Sequence, residues 1–321
     1  MIYLGEKDIK KIGIDWRLCT DVIRDVVFAH HRHDVVQPIK PYLRYKSLKN
    51  RIIAMPAYVG GTTDTAGIKW IASFPENIKK GLPRASCAVI LNDSATGQII
   101  SIIYTGLIST IRTASVSSLM IRLFLEAREL KNMRVGIIGL GPIGLHHLKM
   151  CSELYGDKIS EFAVFDLDEK RAEAAKEVVA KVTVCKTWQD AYRNSDIVLT
   201  CTVSNGTYID ERPKDGSLLL NISLRDYTSK VFDFVKNSII VDDWEEVCRE
   251  NTDIEVFHKM NGLTKEQTRS IDDVVVNNCL ATYPPNVPIM FNPMGMAMFD
   301  IAIGKFYLDL AQKRGIGINL K

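Results

Sequence analysis

Apolar positions along the chain switch between two periods. Stretches 51–55, 65–73, 86–92 and 98–104 alternate or run apolar over strand lengths, and 40–45 reads as a shorter strand of the same kind. Pro56, Gly60-Gly61 and Asp93–Gly97 punctuate them, the last as a hairpin turn. Before these strands, 16–30 carries a helical period, with Val22, Val26 and Val27 spaced to face one core. Residues 109–130 read as a long amphipathic helix.

Beyond it the pattern becomes regular. Apolar strands at 134–138, 161–166, 181–185, 196–202, 217–222 and 238–241 alternate with helical stretches at 168–180 and 188–194. Strand and helix in turn predict a doubly wound parallel sheet of Rossmann type, to which 272–278 also belongs. The last helix, 295–312, is expected to return to the first domain. The fold class is therefore α/β: a Rossmann-type sheet plus a second, α+β domain. The domains are 1–115 with 296–321, and 116–295.

Composition adds boundaries rather than function. At 321 residues the chain can bury two cores. It is 46% hydrophobic and 25% charged, as in a water-soluble globular protein, and 41 basic against 38 acidic residues leave +3. That balance gives no case for nucleic acid or a membrane surface. No apolar run reads as long enough to span a bilayer, and the first residues lack the shape of a secretory signal. Seven scattered cysteines without a C-x-x-C pair fit a reducing cytoplasm. His30, His31 and His33 read as a solvated helix end, not a metal site, and His146 and His147 as solvent-facing.

The most informative stretch is Val135-Gly-Ile-Ile-Gly-Leu-Gly-Pro-Ile-Gly144, with Asp166 closing the next strand. Gly139 permits a tight turn, Gly141 offers bare backbone to a pyrophosphate, and Gly144 lets the helix sit close to the sheet. The helix start then faces phosphate with unpaired N–H groups. An acid at Asp166 suits ribose hydroxyls and repels a 2′-phosphate, which favours NAD over NADP.

Cations interrupt the apolar stretches of the first domain at Arg44, Lys69, Arg84 and Arg112. Lys69 must snorkel outward or meet an anion. Arg112, in Ile111-Arg-Thr-Ala114, reads as opening the long helix, where it suits a carboxylate or phosphate; simple capping by Ser109 or Thr110 is the alternative. Asp226 follows a strand at the carboxyl edge of the sheet, placed either as a general base or as a turn residue. Asp242-Asp243-Trp244 reads as a helix cap.

Several segments together resemble the ornithine cyclodeaminase/mu-crystallin family over essentially the full length. They are Pro41-Tyr-Leu-Arg44, Arg51-Ile-Ile-Ala-Met-Pro56, Gly67-Ile-Lys-Trp70, Ile111–Ala114, the glycine turn, Asn221-Ile-Ser-Leu-Arg-Asp226 and Asn292-Pro-Met-Gly-Met-Ala297. Val36–Arg44, Leu91-Asn-Asp93, Val241–Trp244 and Phe291–Ala297 are similar to the subgroup that oxidises N-(2-amino-2-carboxyethyl)-L-glutamate and supplies L-2,3-diaminopropionate to siderophore and peptide-antibiotic pathways. The resemblance implies a homodimer, and a small amino-acid-derived substrate with several carboxylates.

It further implies that the α+β domain serves substrate binding and dimerisation, that Arg44, Lys69 and Arg112 bind the substrate carboxylate, and that Asp226 and Lys69 are catalytic. A substrate with three carboxylates needs further cations, and Arg84 or Arg225 is the candidate to read a distal one. NAD would lie against Arg112, Thr113, Gly139, Gly141, Pro142, Ile143, Gly144, Asp166, Thr202, Ser223, Asp226 and Gly295. Ornithine cyclodeaminases carry a glycine pair before the aspartate and Cys-Pro-Gly after it. Here Leu224-Arg225 and Tyr227-Thr-Ser stand there instead, against ornithine cyclisation. Ornithine cyclisation with NADH recycled internally, ketimine reduction or alanine dehydrogenation, and ligand binding without turnover are the alternatives.

Overall fold

The computed structural model describes residues 1–204 and 206–320. The chain divides into two compact units, Met1–Ser115 with Gly295–Lys321, and Val116–Met294.

The first unit is built on a mixed sheet. Its strands are β1 (Ile2–Gly5), β2 (Val35–Val36), β3 (Tyr42–Leu43), β4 (Arg51–Val59), β5 (Thr65–Ser73), β6 (Ala85–Asp93), β7 (Ile99–Tyr104) and, from the end of the chain, β16 (Ile318–Asn319). They lie in the order β16-β1-β7-β6-β5-β4-β2, with β3 also on β4. The hairpin from β6 to β7 turns where expected: the Asp93 carboxylate accepts the Thr96 N–H at 2.8 Å, and Gly97 takes φ +71°. The helix Ala297–Arg314 packs on β4, β5 and β6 and on the helix Trp16–His31. The latter helix buries Trp16, Cys19, Ile23, Val26 and Val27, while Val22 is only half-buried.

Pro56 does not end a strand, contrary to its reading as punctuation. It sits inside β4, paired in register with Ile68. On the other side of β4, β2 pairs only with Tyr58 and Val59, and β3 only with Ile52 and Ile53. Pro56 falls in the gap between these two short edge strands, where its missing N–H costs no ladder bond. The expected strand at 40–45 shrinks to Tyr42–Leu43 for want of further pairing.

The second unit is a sheet of eight parallel strands, in the order β10-β9-β8-β11-β12-β15-β13-β14. In chain order they are β8 (Met133–Ile138), β9 (Ile159–Phe165), β10 (Val182–Val184), β11 (Ile197–Thr200), β12 (Leu218–Asn221), β13 (Ile239–Val241), β14 (Arg269–Ser270) and β15 (Ile289–Asn292). Winding proceeds outward from β8 through β9 to β10, and in the other direction from β11. The order therefore reverses beside β8, which opens a crevice at the carboxyl end of that strand. The interior strand β15, four residues between Pro288 and Pro293, was not among the strands expected from the apolar pattern. The helix expected over 168–180 closes early, as Glu169–Ala174 followed by a single 3-10 turn.

The helix Leu107–Ala127 corrects three expectations. It begins before residue 109, where the Thr105 hydroxyl accepts the Leu107 N–H at 3.1 Å, so Arg112 lies in its second turn. It is not amphipathic: Ile111 to Met120 are all buried, and the hydroxyls of Thr113 and Ser115 are satisfied by carbonyls one turn back. By length and composition it could cross a membrane, yet 72% of its most apolar window is buried within the protein, as befits a core helix.

Candidate functional site

In the first unit, β5 carries Lys69 on the face covered by the helix Ala297–Arg314. Asp300 of that helix meets it. Lys69 Nζ donates to Asp300 Oδ2 at 2.8 Å and to Ser109 Oγ at 3.3 Å, and Arg112 Nε donates to Asp300 Oδ1 at 3.0 Å. Lys69 and Asp300 side chains are 2% and 0% exposed, and Arg112 is 9% exposed. Two cations thus share one carboxylate, which leaves a net positive charge at a nearly dry point. Burial pulls the Lys69 ammonium below the ordinary lysine value, and Asp300 opposes that pull. Only Nε of Arg112 is engaged by the protein, so the remaining fork of N–H donors is free for a carboxylate.

Gly295 fixes the guanidinium's position. It takes φ +88°, and a Cβ there would stand 2.7 Å from Arg112 Nη1. Its carbonyl accepts Lys40 Nζ at 2.7 Å, and Gln37 Oε1 accepts the Met298 N–H at 2.9 Å, which ties segment 37–40 to the start of the last helix. Thr113 is buried next to Arg112. Arg44 and Arg84 do not join this group: none of the hydrogen bonds or ion pairs of Lys69, Asp300 or Arg112 involves them. Arg44 is exposed and donates to the Leu48 carbonyl at 2.9 Å, and Arg84 precedes β6.

In the second unit the glycine turn leaves β8 at the crevice. Gly139 takes φ +96°, with the Cys201 carbonyl 2.7 Å from where a Cβ would be. A Cβ on Gly144 would stand 1.8 Å from the Gly139 carbonyl oxygen, so only glycine lets the helix Pro142–Tyr155 start this close to the turn. Gly141, by contrast, faces open space. Pro142 occupies the first helical position, where no N–H is needed, and Ile143 follows. Asp166 stands at the tip of β9. Its Oδ2 accepts the Leu140 N–H at 2.6 Å and its Oδ1 accepts the Asp168 N–H at 2.8 Å. An open backbone face at a helix start, beside an anchored carboxylate, fits the pyrophosphate and ribose of a dinucleotide.

His147 contradicts its reading as solvent-facing. It is fully buried, with Nδ1 on the Ile143 carbonyl at 2.8 Å and Nε2 on the Ser117 hydroxyl at 2.8 Å. A carbonyl accepts only, so Nδ1 carries the proton and Nε2 accepts from Ser117. Burial lowers its pKa to about 4, and it holds the helix in place as a neutral imidazole.

Thr202 and Asp226 follow β11 and β12, the strands next along from β8, so both emerge at the same carboxyl edge as the glycine turn. Thr202 Oγ1 donates to Asp226 Oδ1 at 2.5 Å, and the Ser223 hydroxyl donates to Asp226 Oδ2. Burial raises the Asp226 pKa, and those hydroxyls partly counter it.

The turn carrying Asp226 is built with unusual care. Leu224 takes φ +63°, a conformation a non-glycine residue adopts only when held. Asn221 Oδ1 accepts the Leu224 N–H at 3.0 Å, and the Asp253 N–H donates to the Leu224 carbonyl at 2.8 Å. Asp253 Oδ2 accepts the N–H groups of Asp226 and Tyr227 at 3.1 and 3.2 Å, and Asn221 Nδ2 at 2.9 Å. Its Oδ1 is buried without a partner, and burial raises the Asp253 pKa to about 7. Arg225 is committed elsewhere: it donates to the carbonyls of Glu250 and Ser223 and buttresses the same turn.

Sequence reasoning missed Asp300, Lys40, Asn221 and Asp253. Asp300 had a signal, since a lone acid in the run Met298-Phe-Asp-Ile-Ala-Ile303 must find a cation. Asp253 had none: it reads as an ordinary acid in a first helical turn.

A parallel doubly wound unit with a glycine-rich turn, joined to a mixed-sheet unit with a buried cation cluster, defines a Rossmann-type α/β protein of two units. The model of the ornithine cyclodeaminase/mu-crystallin family matches residues 11–314, and the chain belongs to that family. It is 32% identical to the N-((2S)-2-amino-2-carboxyethyl)-L-glutamate dehydrogenase of Staphylococcus aureus (strain NCTC 8325 / PS 47), over 100% of this chain and 98% of that protein. It is 25% identical to the alanine dehydrogenase of Archaeoglobus fulgidus, covering 88% of this chain and 87% of that one. Among solved structures it resembles the Δ1-pyrroline-2-carboxylate reductase of Thermococcus litoralis in complex with NADH and L-proline. The TM-score is 0.89 at 20% identity, with 100% of both chains covered, and that likeness speaks to the fold.

Proposed function

We propose that the protein is an NAD-dependent dehydrogenase acting on a C–N bond, and that it converts N-(2-amino-2-carboxyethyl)-L-glutamate to L-2,3-diaminopropionate and 2-oxoglutarate. The observation that carries this reading is the full-length similarity, at 32% identity, to a protein named for that oxidation. The chemistry of the residues is consistent with it.

NAD would be held by Gly139, Gly141, Pro142, Ile143 and Gly144, with Asp166 suited to the ribose hydroxyls and Thr202 and Ser223 beside Asp226. Its nicotinamide supplies a hydride acceptor for the glutamyl carbon that bears the amine. Lys69 and the free fork of Arg112 grip the carboxylate next to that carbon; Arg44, expected as a third cation, lies outside this pair. Lys69 is catalytic through its charge, which its low exposure strengthens. Asp226 takes a proton from the water that adds to the oxidised carbon, and returns it to the departing nitrogen as the C–N bond breaks. Burial raises its pKa above the ordinary aspartate value, the direction that makes it a better proton acceptor.

The protein acts as a homodimer in this reading. Ile52, Ile68, Ile90, Ile102, Trp70 and Tyr104 all lie on the outer face of the mixed sheet, and none of them is fully buried, with Trp70 and Tyr104 exposed. A sheet apolar on both faces needs a cover on each. The seven cysteines are all unpaired, which supports a reducing, cytoplasmic setting. The product amine would feed siderophore or peptide-antibiotic assembly.

The test is to incubate the protein with NAD and the proposed substrate and identify products by mass spectrometry. Diaminopropionate and 2-oxoglutarate are expected. Turnover of alanine or ornithine in preference to this substrate would overturn the assignment.

A further inference from the structure

The outlying arginines of the first unit share a face with Lys69. Alternate residues of a strand point to one side, and paired residues across a ladder point together. Lys69 pairs with Met55, while Arg51 pairs with Ser73 at the end of the same two strands. Arg51 therefore projects to the Lys69 face, four residues along, or roughly 13 Å at about 3.3 Å per residue. Tyr42 pairs with Ile53 and joins that face, and one step beyond the paired residues of β3 sets Arg44 opposite Arg51.

The two guanidinium groups meet at one ring: the Cζ atoms of Arg44 and Arg51 lie 5.4 and 5.8 Å from the Tyr42 centroid. Like charges placed opposite each other across a ladder repel. No neighbouring acid in the sequence serves Arg51. Residues 40–51 contain no acid, and the only acid in 74–85, Glu76, is paired with Lys79. Among the described residues Arg51 forms no ion pair, and its Nε is buried without a hydrogen-bond partner. Cover also thins toward this end: Lys69 and Met55 are buried, whereas Ile71, Ser73, Ile53 and Arg51 are only partly so. A partly desolvated, unpartnered arginine on an opening face is a receptor for an anion.

We propose that Arg51 reads the side-chain carboxylate of a dicarboxylic substrate whose α-carboxylate is held by Lys69 and Arg112. One carboxylate cannot bridge the spacing between them, but two on one glutamyl skeleton, met by long cationic arms, can. Arg51 thus selects glutamyl compounds over shorter or uncharged ones. This deepens the proposed reaction and rests on that reading for the identity of the substrate.

The test compares two small acids, so that it does not depend on turnover. Calorimetry on the NADH-loaded protein gives dissociation constants for 2-oxoglutarate and for 2-oxobutyrate, which lacks the distal carboxylate. Wild type should prefer 2-oxoglutarate by about 10- to 100-fold, the range of one charge-assisted hydrogen-bonded contact. Arg51→Gln should abolish that preference and leave 2-oxobutyrate binding within about threefold, while Arg51→Lys should keep part of it. A general weakening of the fold would lower both affinities and leave the ratio intact. If Arg51→Gln retains the preference, or wild type has none, the role of Arg51 falls, whatever the enzyme oxidises. If the preference vanishes in Arg51→Gln but wild type does not oxidise the proposed substrate, the reaction assignment falls and Arg51 stands.

Discussion

Asp300→Asn is the sharpest perturbation the first unit offers. The amide keeps the volume of the carboxylate and removes its charge, leaving Lys69 and Arg112 at 2% and 9% side-chain exposure without a counter-ion. Breaking a buried pair from one side costs about 3–5 kcal/mol, because the stranded charge stays desolvated. That is a large part of the roughly 5–15 kcal/mol that holds a domain together. At about 2–4 °C per kcal/mol, the melting point should drop by roughly 6–20 °C.

The loss should also depend on pH. Burial already lowers the Lys69 pKa, so the fold favours the neutral amine and loses stability as pH falls below the free-lysine value of about 10.4. Without Asp300 the pKa falls further. The deficit of the variant should therefore be greatest near neutral pH and shrink toward about pH 10, and adding Lys69→Met should recover part of it. Urea unfolding followed by circular dichroism across that range measures the effect. A deficit under about 1 kcal/mol that does not change with pH would refute the argument, since it is what a solvated surface pair gives.

Three further outcomes follow from the geometry. Gly144→Ala should destabilise the second unit, because its Cβ would lie 1.8 Å from the Gly139 carbonyl oxygen, whereas Gly141→Ala should melt normally and weaken NAD binding alone; calorimetry and fluorescence titration separate the two. Asp253, with its pKa raised to about 7, favours its neutral form in the fold, so its contribution is present below about pH 4 and is lost as pH rises through about 7; urea midpoints of wild type and Asp253→Asn should converge or cross over that window, and parallel profiles would count against the assignment. Trp70→Glu, on the exposed outer face of the mixed sheet, should yield monomers by light scattering, and an unchanged dimer would exclude that face as the interface.

The sequence made some of this legible and concealed the rest, for physical reasons. The glycine turn was readable because each glycine answers a local steric demand, visible in the pattern before any tertiary contact. Asp226 was readable only as one of two things, since the clamp that holds its turn depends on Asp253, 27 residues further along the chain. Lys69 was visible as an anomaly in an apolar strand, but its partner sits 231 residues away. Arg112 was noticed for the wrong reason: the helix opens one turn earlier, and Asp300 and Gly295, not a helix end, position its guanidinium. Pro56 was misread because proline punctuates a chain only where its N–H is needed, and only pairing shows where that is; β15, four residues long, passed without an assignment.

The most direct test of the central claim is the ratio of NADH to 2-oxoglutarate over many turnovers of N-(2-amino-2-carboxyethyl)-L-glutamate. The account predicts one NADH released for each 2-oxoglutarate formed, with an equal amount of diaminopropionate. Product formed without accumulation of NADH, or no oxidation of this substrate in protein shown to bind NAD, would contradict it.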